Sequence, residues 1–187
     1  MKPLHWVSCD GGPHLFVDRE LSVHWLGIRP PEDGRIVQAS FRWNEDPGSP
    51  ASDYDAACSV DGLVGLVPVG AGEGLVLGDE VPMSTWIKRE GFEGGVLVVP
   101  MCWPKADSDG RLVRAVRGVP TEEFVETGIR ITSHSGVFVL FPACDSTPDR
   151  VYPVCEVQVP PGTYSIRTAA VRQSGFDLRI HGLARSV

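Results

Sequence analysis

Among the chemically active side chains, the carboxylates are the most unevenly distributed along this chain. Between Arg42 and Lys88 there are eight acidic residues and no basic one. They interrupt apolar, strand-like sequence, and acids held on a folded β surface present an organised negative field to a positive partner. An ordinary solubilising surface is the alternative interpretation. We predict partner contacts for six of these acids: Asp53, Asp55, Asp61, Glu73, Asp79 and Glu80.

Two of these acids, Asp79 and Glu80, are adjacent, and Asp53 and Asp55 are two positions apart. Paired carboxylates can bind Ca²⁺ or Mg²⁺ or carry out acid–base chemistry. A metal-dependent hydrolytic enzyme that uses Asp79 and Glu80 is therefore an alternative function. Such pairs are also common on surfaces and at helix caps, so the favoured interpretation is solvated or partner-facing carboxylates.

Other chemical groupings point away from an enzyme. His5, Cys9 and His14 lack the fourth ligand of a structural zinc site, and hairpin alternation would scatter them over two faces. His134 and Ser135 are adjacent, and neighbouring strand residues point to opposite faces. No GxSxG motif occurs. We predict a protein that is not an enzyme and has no metal or cofactor.

The glycine-rich segment 70–74 resembles a dinucleotide-binding loop only superficially. That motif requires a helix next, because the helix N-terminus holds the pyrophosphate. Here the strand-like run Leu75–Leu77 follows. The segment therefore predicts a β-hairpin turn.

The charge distribution restricts the class of partner. Residues 1–110 carry a net charge of −9 and residues 111–187 carry +2. No basic stripe is present, so a nucleic-acid partner is not expected, and a basic protein partner is favoured. No apolar run approaches the ~20 residues that span a bilayer. The opening residues lack an apolar segment typical of secretion, and we expect a cytoplasmic protein without a membrane partner.

Strands punctuated by 21 glycines and 16 prolines dominate the pattern. Asp10-Gly11-Gly12-Pro13 predicts a hairpin turn between strands at 6–8 and 14–17. A helical turn at 54–58 is capped by Ser52 or Asp53, and a helix is expected at 107–118 with Asp107 or Ser108 as its cap. The remaining strands are predicted at 35–43, 63–69, 74–77, 85–88, 95–101, 129–132, 137–142, 154–159, 164–171 and 176–183.

This pattern predicts a mainly β fold with two packed or curved antiparallel sheets and one or two short helices. The helix at 107–118 is expected across one end. Residues 1–187 form a single domain in this interpretation, with two intimate β halves (about 1–105 and 126–187) joined by that helix as a further option. The tryptophans are expected to anchor the core, and one on an open face would suit an interface: Trp6, Trp25, Trp43, Trp86 and Trp103.

Several segments, in order, resemble one known family. They are residues 6–17 (WVSCDGGPHLFV), 24–27 (HWLG), 54–58 (YDAAC), 67–80 with Thr85 and Trp86, 94–98 (GGVLV), 135–141 and 159–164. Together they are similar to the immunity protein 21 family of bacterial polymorphic toxin systems. Residues 29–53 and 145–152 match nothing in it.

The resemblance implies a cytoplasmic protein that binds and neutralises a cognate protein toxin, often a nuclease. It brings no catalytic residue set and no small-molecule substrate. The matching glycines, prolines and tryptophans are expected to be structural, and the matching acids Asp55, Asp79 and Glu80 are those also proposed for partner contact. The remaining alternative is a sugar- or ligand-binding β module, which an aromatic-lined cleft with two or more exposed tryptophans would support.

Overall fold

A computed structural model describes residues 3–32, 34–43, 46, 48–78, 81–102, 109–147, 150–173 and 175–186. Over these ranges the chain is mainly β with two antiparallel sheets, as predicted. The strands are β1 Trp6–Ser8, β2 His14–Asp18, β3 Val64–Val69, β4 Gly72–Leu77, β5 Met83–Ile87, β6 Val96–Cys102, β7 Val125–Ser133, β8 Val137–Pro142, β9 Cys155–Gln158, β10 Gly162–Gln173 and β11 Phe176–Arg185.

The helices are short. They are α1 Arg19–Ser22, α2 Asp53–Cys58 and α3 Asp109–Gly118, with a 3₁₀ turn at Thr121–Glu123. In the described part of the chain, none has the length and apolar character needed to cross a bilayer.

Sheet A has the strand order β1-β5-β6-β11-β10-β7, and sheet B has the order β3-β4-β2-β8-β9. Each sheet combines strands that precede α3 with strands that follow it. β11, for example, pairs with β6, and β8 pairs with β2. The division of the chain into two β halves stays a prediction.

The two sheets pack face to face around a core that contains Phe16, Phe138 and Tyr164. The rings of Phe16 and Phe138 stack with centroids 4.6 Å apart. Both outer faces are also covered. In sheet B, β2 and β8 carry apolar side chains in both directions, and in sheet A, β6 and β11 contribute apolar side chains to a second cluster. The result is a sandwich with helices on both outer sides.

Helix α3 covers the outer face of sheet A, where Leu112, Val113 and Val116 pack against Val98 and Ile180. Helix α3 therefore lies over a sheet face. The prediction that it packs across one end is wrong. The apolar stripe of α3 covers apolar side chains of β6 and β11 on this face. The burial of these two surfaces against each other decides where the helix lies. The predicted caps Asp107 and Ser108 lie outside the described residues.

The turn at Asp10–Pro13 does not close a hairpin, so this prediction is wrong. β1 pairs with β5 at the edge of sheet A, whereas β2 pairs with β4 and β8 in sheet B. Because both edges of β2 are occupied, β1 cannot pair with it. The turn instead carries the chain from one sheet to the other.

The hairpin predicted at the glycine-rich segment 70–74 is confirmed. Val69 pairs with Gly72 across a two-residue turn, and Gly70 adopts a φ of +58°. The strand predicted at 35–43 is wrong, since these residues form no strand. The backbone amides of Ser40 and Phe41 bond to the Ser59 hydroxyl, and the amide of Trp43 bonds to Asp55 of α2.

Asp18, fully buried at the end of β2, ties the two sheets together. Its Oδ2 atom accepts hydrogen bonds from the Ser133 hydroxyl (2.8 Å), the His134 amide (2.9 Å) and both the amide (3.0 Å) and hydroxyl (2.8 Å) of Ser135. Its Oδ1 atom accepts from the Glu20 amide at 2.9 Å and caps α1. Burial alone would raise the pKa of this carboxyl, but the hydrogen bonds outweigh it and lower the pKa below its usual value.

We expect Asp18→Asn to destabilise the fold by roughly 2–3 kcal/mol, because charge-assisted bonds are lost and an amide N–H₂ faces donors. Since the folded pKa is depressed, this contribution is present above the unfolded pKa of ~3.9 and is lost as pH falls through the folded value. The difference in unfolding free energy from wild type should therefore be largest near pH 7 and shrink below about pH 4. Urea denaturation at pH 7 and pH 3.5 measures it, and an equal difference at both pH values would contradict the ionised bridge.

Candidate functional site

Two of the predicted contact acids lie on α2, the short helix that covers the outer face of sheet B. Ser52 caps this helix in a reciprocal capping box with Asp55. Tyr54 and Ala57 pack in the apolar cluster on that face, beside Trp25. The helix therefore turns its polar side chains toward the chain segment that precedes it.

Asp53 is 2 % exposed and is fully engaged inside the protein. Its carboxylate pairs with the Arg35 guanidinium through two contacts, of 2.8 and 2.9 Å. Its Oδ2 atom also accepts the Leu26 amide at 2.9 Å. This geometry is a bidentate pair that holds Arg35, so Asp53 has little capacity left for a partner.

Asp55 is 3 % exposed and is engaged in the same way. Its Oδ1 atom accepts the Trp43 amide at 2.6 Å, and its Oδ2 atom accepts the Ser52 amide (2.8 Å) and hydroxyl (2.9 Å). Burial by itself raises the pKa of the Asp55 carboxyl, but these bonds and the nearby Arg42 charge outweigh it and lower the pKa. Asp55 is therefore an ionised internal acceptor.

Residues 35–43, here called the strap, are held to α2 by these contacts and by Ser59. The Ser59 hydroxyl accepts the amides of Ser40 and Phe41, both at 2.9 Å, and donates to the Asp55 carbonyl. Asp53, Asp55 and Ser59 thus act as a clamp on an irregular segment. The clamp fixes where the strap presents its side chains.

The other predicted acids are placed differently. Asp61, which precedes β3, and Glu73, on β4, are exposed. Glu73 lies opposite Pro68 in the hairpin at the edge of sheet B. Asp79 and Glu80 lie outside the described residues. Asp53 and Asp55 therefore form an internal set, and Asp61 and Glu73 lie on the surface.

A cleft of about 920 Å³ opens between the strap, α2, the turn at Asp10–Pro13 and the loop after β8. Four large apolar side chains that line it are exposed: Ile28 (58 %), Phe41 (41 %), Trp43 (66 %) and Val151 (82 %). The Trp43 ring meets the Tyr54 ring edge-on, with centroids 6.0 Å apart. Such a concentration of exposed apolar surface is typical of a binding site.

A cysteine and a histidine come together at the cleft. Cys9 Sγ lies 3.4 Å from His14 Nε2, and His14 Nδ1 lies 2.5 Å from Ser84 Oγ. The sequence argument that strand alternation would separate Cys9 from His14 is wrong, because Cys9 follows the end of β1 and is not on a strand. In outline the three resemble a nucleophile, a base and an orienting group.

The electrostatics of this group do not favour a reactive thiolate. Burial raises the pKa of the Cys9 thiol, and burial lowers the pKa of His14 to about 4. The Cys9 thiol also donates to the Gly11 carbonyl at 3.2 Å. A neutral thiol beside a neutral imidazole is a buried polar contact and not an activated nucleophile.

The family model described as Immunity protein 21 matches residues 5–175. The chain belongs to this family. The match runs from just before β1 through β10, and so includes all of sheet B, α2, the strap and every strand of sheet A except β11. No curated protein and no solved structure gives a significant match. Membership of the Immunity protein 21 family supports an immunity function in toxin systems, with a toxin as partner and a non-enzymatic role.

In this member of the Immunity protein 21 family, sequence reasoning missed most of the cleft. Ile28 and Val151 belong to no motif and lie in sequence without a strand or helix period, where an apolar residue is a usable signal, whereas Phe41 was assigned to the predicted strand at 35–43. Trp43 is a tryptophan on an open face, of the kind that the sequence analysis expected to suit an interface. Trp25 is buried and Trp103 lies outside the described residues.

We expect Ser59→Ala to loosen the strap, because the Ser40 and Phe41 amides lose their acceptor. Their hydrogen exchange should speed up by about 5–10-fold, which corresponds to the loss of one ordinary hydrogen bond. Amide exchange followed by NMR measures it, with Leu140 and Phe141 of β8 as internal references. Unchanged exchange at 40 and 41 would show that other contacts hold the strap.

We also expect Cys9 to behave as an unactivated thiol. Iodoacetamide should alkylate exposed Cys102 first. In Cys102→Ser, alkylation of Cys9 should be slow at pH 7 and should rise steadily with pH toward 9, because the raised pKa keeps the thiol protonated. Peptide mass spectrometry gives the rates. Fast alkylation of Cys9 with a plateau below pH 7 would indicate a thiolate–imidazolium pair. Such a pair would support the hypothesis that the protein is an enzyme.

Proposed function

We propose that this protein neutralises a cognate toxin by binding it in a stoichiometric complex that blocks the toxin's active face, in the cytoplasm of the producing cell. The observation that carries the proposal is the Immunity protein 21 family match over residues 5–175. A mainly β scaffold with well-buried cores on both sides of each sheet suits such a role, since a rigid surface loses little entropy on binding.

The charge of the chain supports a basic partner. The formal net charge is −7 at pH 7, and exposed Asp61 and Glu73 lie before and within the edge hairpin of sheet B. A nuclease toxin must attract phosphates, so its active face is basic, and a fixed acidic surface can occupy that face in place of nucleic acid. The proposal assigns steering to Asp61 and Glu73, together with Asp79 and Glu80.

Asp53 and Asp55 have an indirect role in this proposal. Their carboxylates are buried and hydrogen-bonded within the chain, so they support the partner surface by holding the strap. Direct contact with a toxin would first require those internal bonds to break, which is costly for a buried charge.

The two rival functions have weaker support. A sugar- or ligand-binding module calls for at least two exposed tryptophans in one cleft, and among the described residues Trp43 is the single tryptophan that lines it. For a metal-dependent hydrolase, no three His, Cys, Asp or Glu side chains within the described ranges are grouped as ligands. The pair Asp79 and Glu80 stays the specific hypothesis for that rival.

Charge reversal tests the electrostatic part of the proposal. The test uses the cognate toxin, which we expect the neighbouring gene to encode. The double variant Asp61→Lys, Glu73→Lys should slow association with this toxin by about 10-fold at low salt, because steering is lost. The effect should fade near 0.5 M salt, where screening is strong. Surface plasmon resonance with a catalytically inactive toxin measures the rates, and calorimetry measures the stoichiometry.

The matched control is Glu122→Lys, Glu123→Lys, which makes the same charge change at two exposed positions of the 3₁₀ turn after α3. This control should associate at close to the wild-type rate. If both double variants slowed association equally, net charge and not a local acidic surface would be responsible. If the wild-type chain neither bound nor inhibited the neighbouring toxin, the proposed function would fall.

A further inference from the structure

We infer that the cleft beside Trp43 is the docking site for the toxin, and that it receives a toxin loop with an apolar anchor side chain next to a lysine or arginine. This inference rests on the proposed function and adds the place and chemistry of the contact. In this inference, the side chains of the strap and the cleft determine the affinity for the toxin, and the steering acids of the preceding subsection determine the association rate.

The exposed apolar side chains converge on this cleft. Eight large apolar side chains among the described residues are exposed, and four of them line it: Ile28, Phe41, Trp43 and Val151. Tyr54, buried below the strap, extends the same surface inward. Tryptophan and tyrosine are the residues that most often dominate binding energy when a partner covers them.

Trp43 is exposed although its backbone is firmly held. Its amide bonds to Asp55 at 2.6 Å, and its ring rests edge-on against Tyr54. The neighbouring Phe41 amide bonds to Ser59, and Arg35 is paired with Asp53. A segment that is clamped at both ends while its aromatic rings face outward is preorganised, and the entropic cost of ordering it on binding is small.

The charges around the cleft favour a basic occupant. Its charged lining residues are Asp10, Asp145 and Arg29, and the Asp10 side chain is exposed at the rim. These are two carboxylates and one guanidinium, so the lining carries one net negative charge. A cation next to the apolar anchor would therefore meet a complementary field.

Two other occupants fit less well. A second copy of this chain would bring the same acidic surface, with a formal charge of −7, against itself. A small polar ligand needs a few placed polar groups. Here both oxygens of Asp145 accept backbone amides of Val151 and Tyr152, and the Cys9 thiol donates to Gly11. The volume of about 920 Å³ accommodates several side chains of a protein loop.

The test compares three apolar truncations in the same strap, two at the cleft and one away from it. Trp43→Ala should raise the dissociation rate of the inactive neighbouring toxin by about 30-fold or more, with the association rate changed less than about 3-fold. Ile36→Ala removes a side chain that is 87 % exposed and does not line the cleft, so its dissociation rate should stay within about 2-fold of wild type. Phe41→Ala, at the cleft, should behave like Trp43→Ala, and thermal unfolding confirms that all three variants are folded.

Each outcome decides the matter. If the wild-type chain binds and inhibits the toxin while Trp43→Ala and Phe41→Ala bind as tightly as Ile36→Ala, the cleft is not the docking site and the proposed function survives. If the wild-type chain does not bind the toxin, both fall together. If sedimentation shows a wild-type dimer that Trp43→Ala dissociates, the cleft holds a second copy and the inference is overturned.

Discussion

Sheet B carries apolar side chains on both faces, and its outer face has to be kept from water. Leu15, Val17 and Val139 point away from the inter-sheet core and pack under Trp25 and Tyr54. This requirement brings α2 onto the sheet, and α2 in turn brings its polar side chains to the strap. The position of the candidate cleft thus follows from hydrophobic burial some distance from the cleft itself.

Three buried carboxylates then organise the irregular parts of the chain. Asp18 joins β2 to the turn between β7 and β8, and Asp53 and Asp55 join α2 to the strap. Asp53 is paired with the Arg35 guanidinium, whereas Asp18 accepts hydrogen bonds from backbone amides and serine hydroxyls. A buried charge is tolerated only when such bonds replace its hydration. These acids therefore belong to the fold, and the surface acids available to a partner are fewer than the composition suggests.

In the function and the docking site that we propose, the arrangement separates two tasks of an inhibitory protein. Exposed acids act over a distance and affect how fast a basic partner arrives, because Coulomb forces extend over about a Debye length. Apolar side chains around Trp43 act only at contact and affect how long a partner stays. The hydrogen bonds and the ion pair that hold the strap fix the position of its side chains before a partner arrives.

Local features of this protein were decided by the sequence alone. The helical turn of α2 with Ser52 as one of its two candidate caps, the hairpin turn at 70–74 and the strand at 95–101 depend on neighbouring residues, and each was predicted. The turn at Asp10–Pro13 was also recognised as a turn, but its strands belong to different sheets. Which strands pair with β2 is decided by competition among strands that are distant in sequence, such as β8. A local sequence pattern contains no information on that competition.

Only the tertiary structure decided which acids face inward and where the open aromatic surface lies. In the sequence, Asp53 and Asp55 look like ordinary surface acids. In the structure, the Asp53 carboxylate is paired with the Arg35 guanidinium and the Asp55 carboxylate accepts the Trp43 amide. The cleft joins residues from the first turn, the strap and the loop after β8, more than 130 positions apart. Sequence determines propensity and periodicity, which are local, whereas burial and partner choice come from the packing of remote segments against one another.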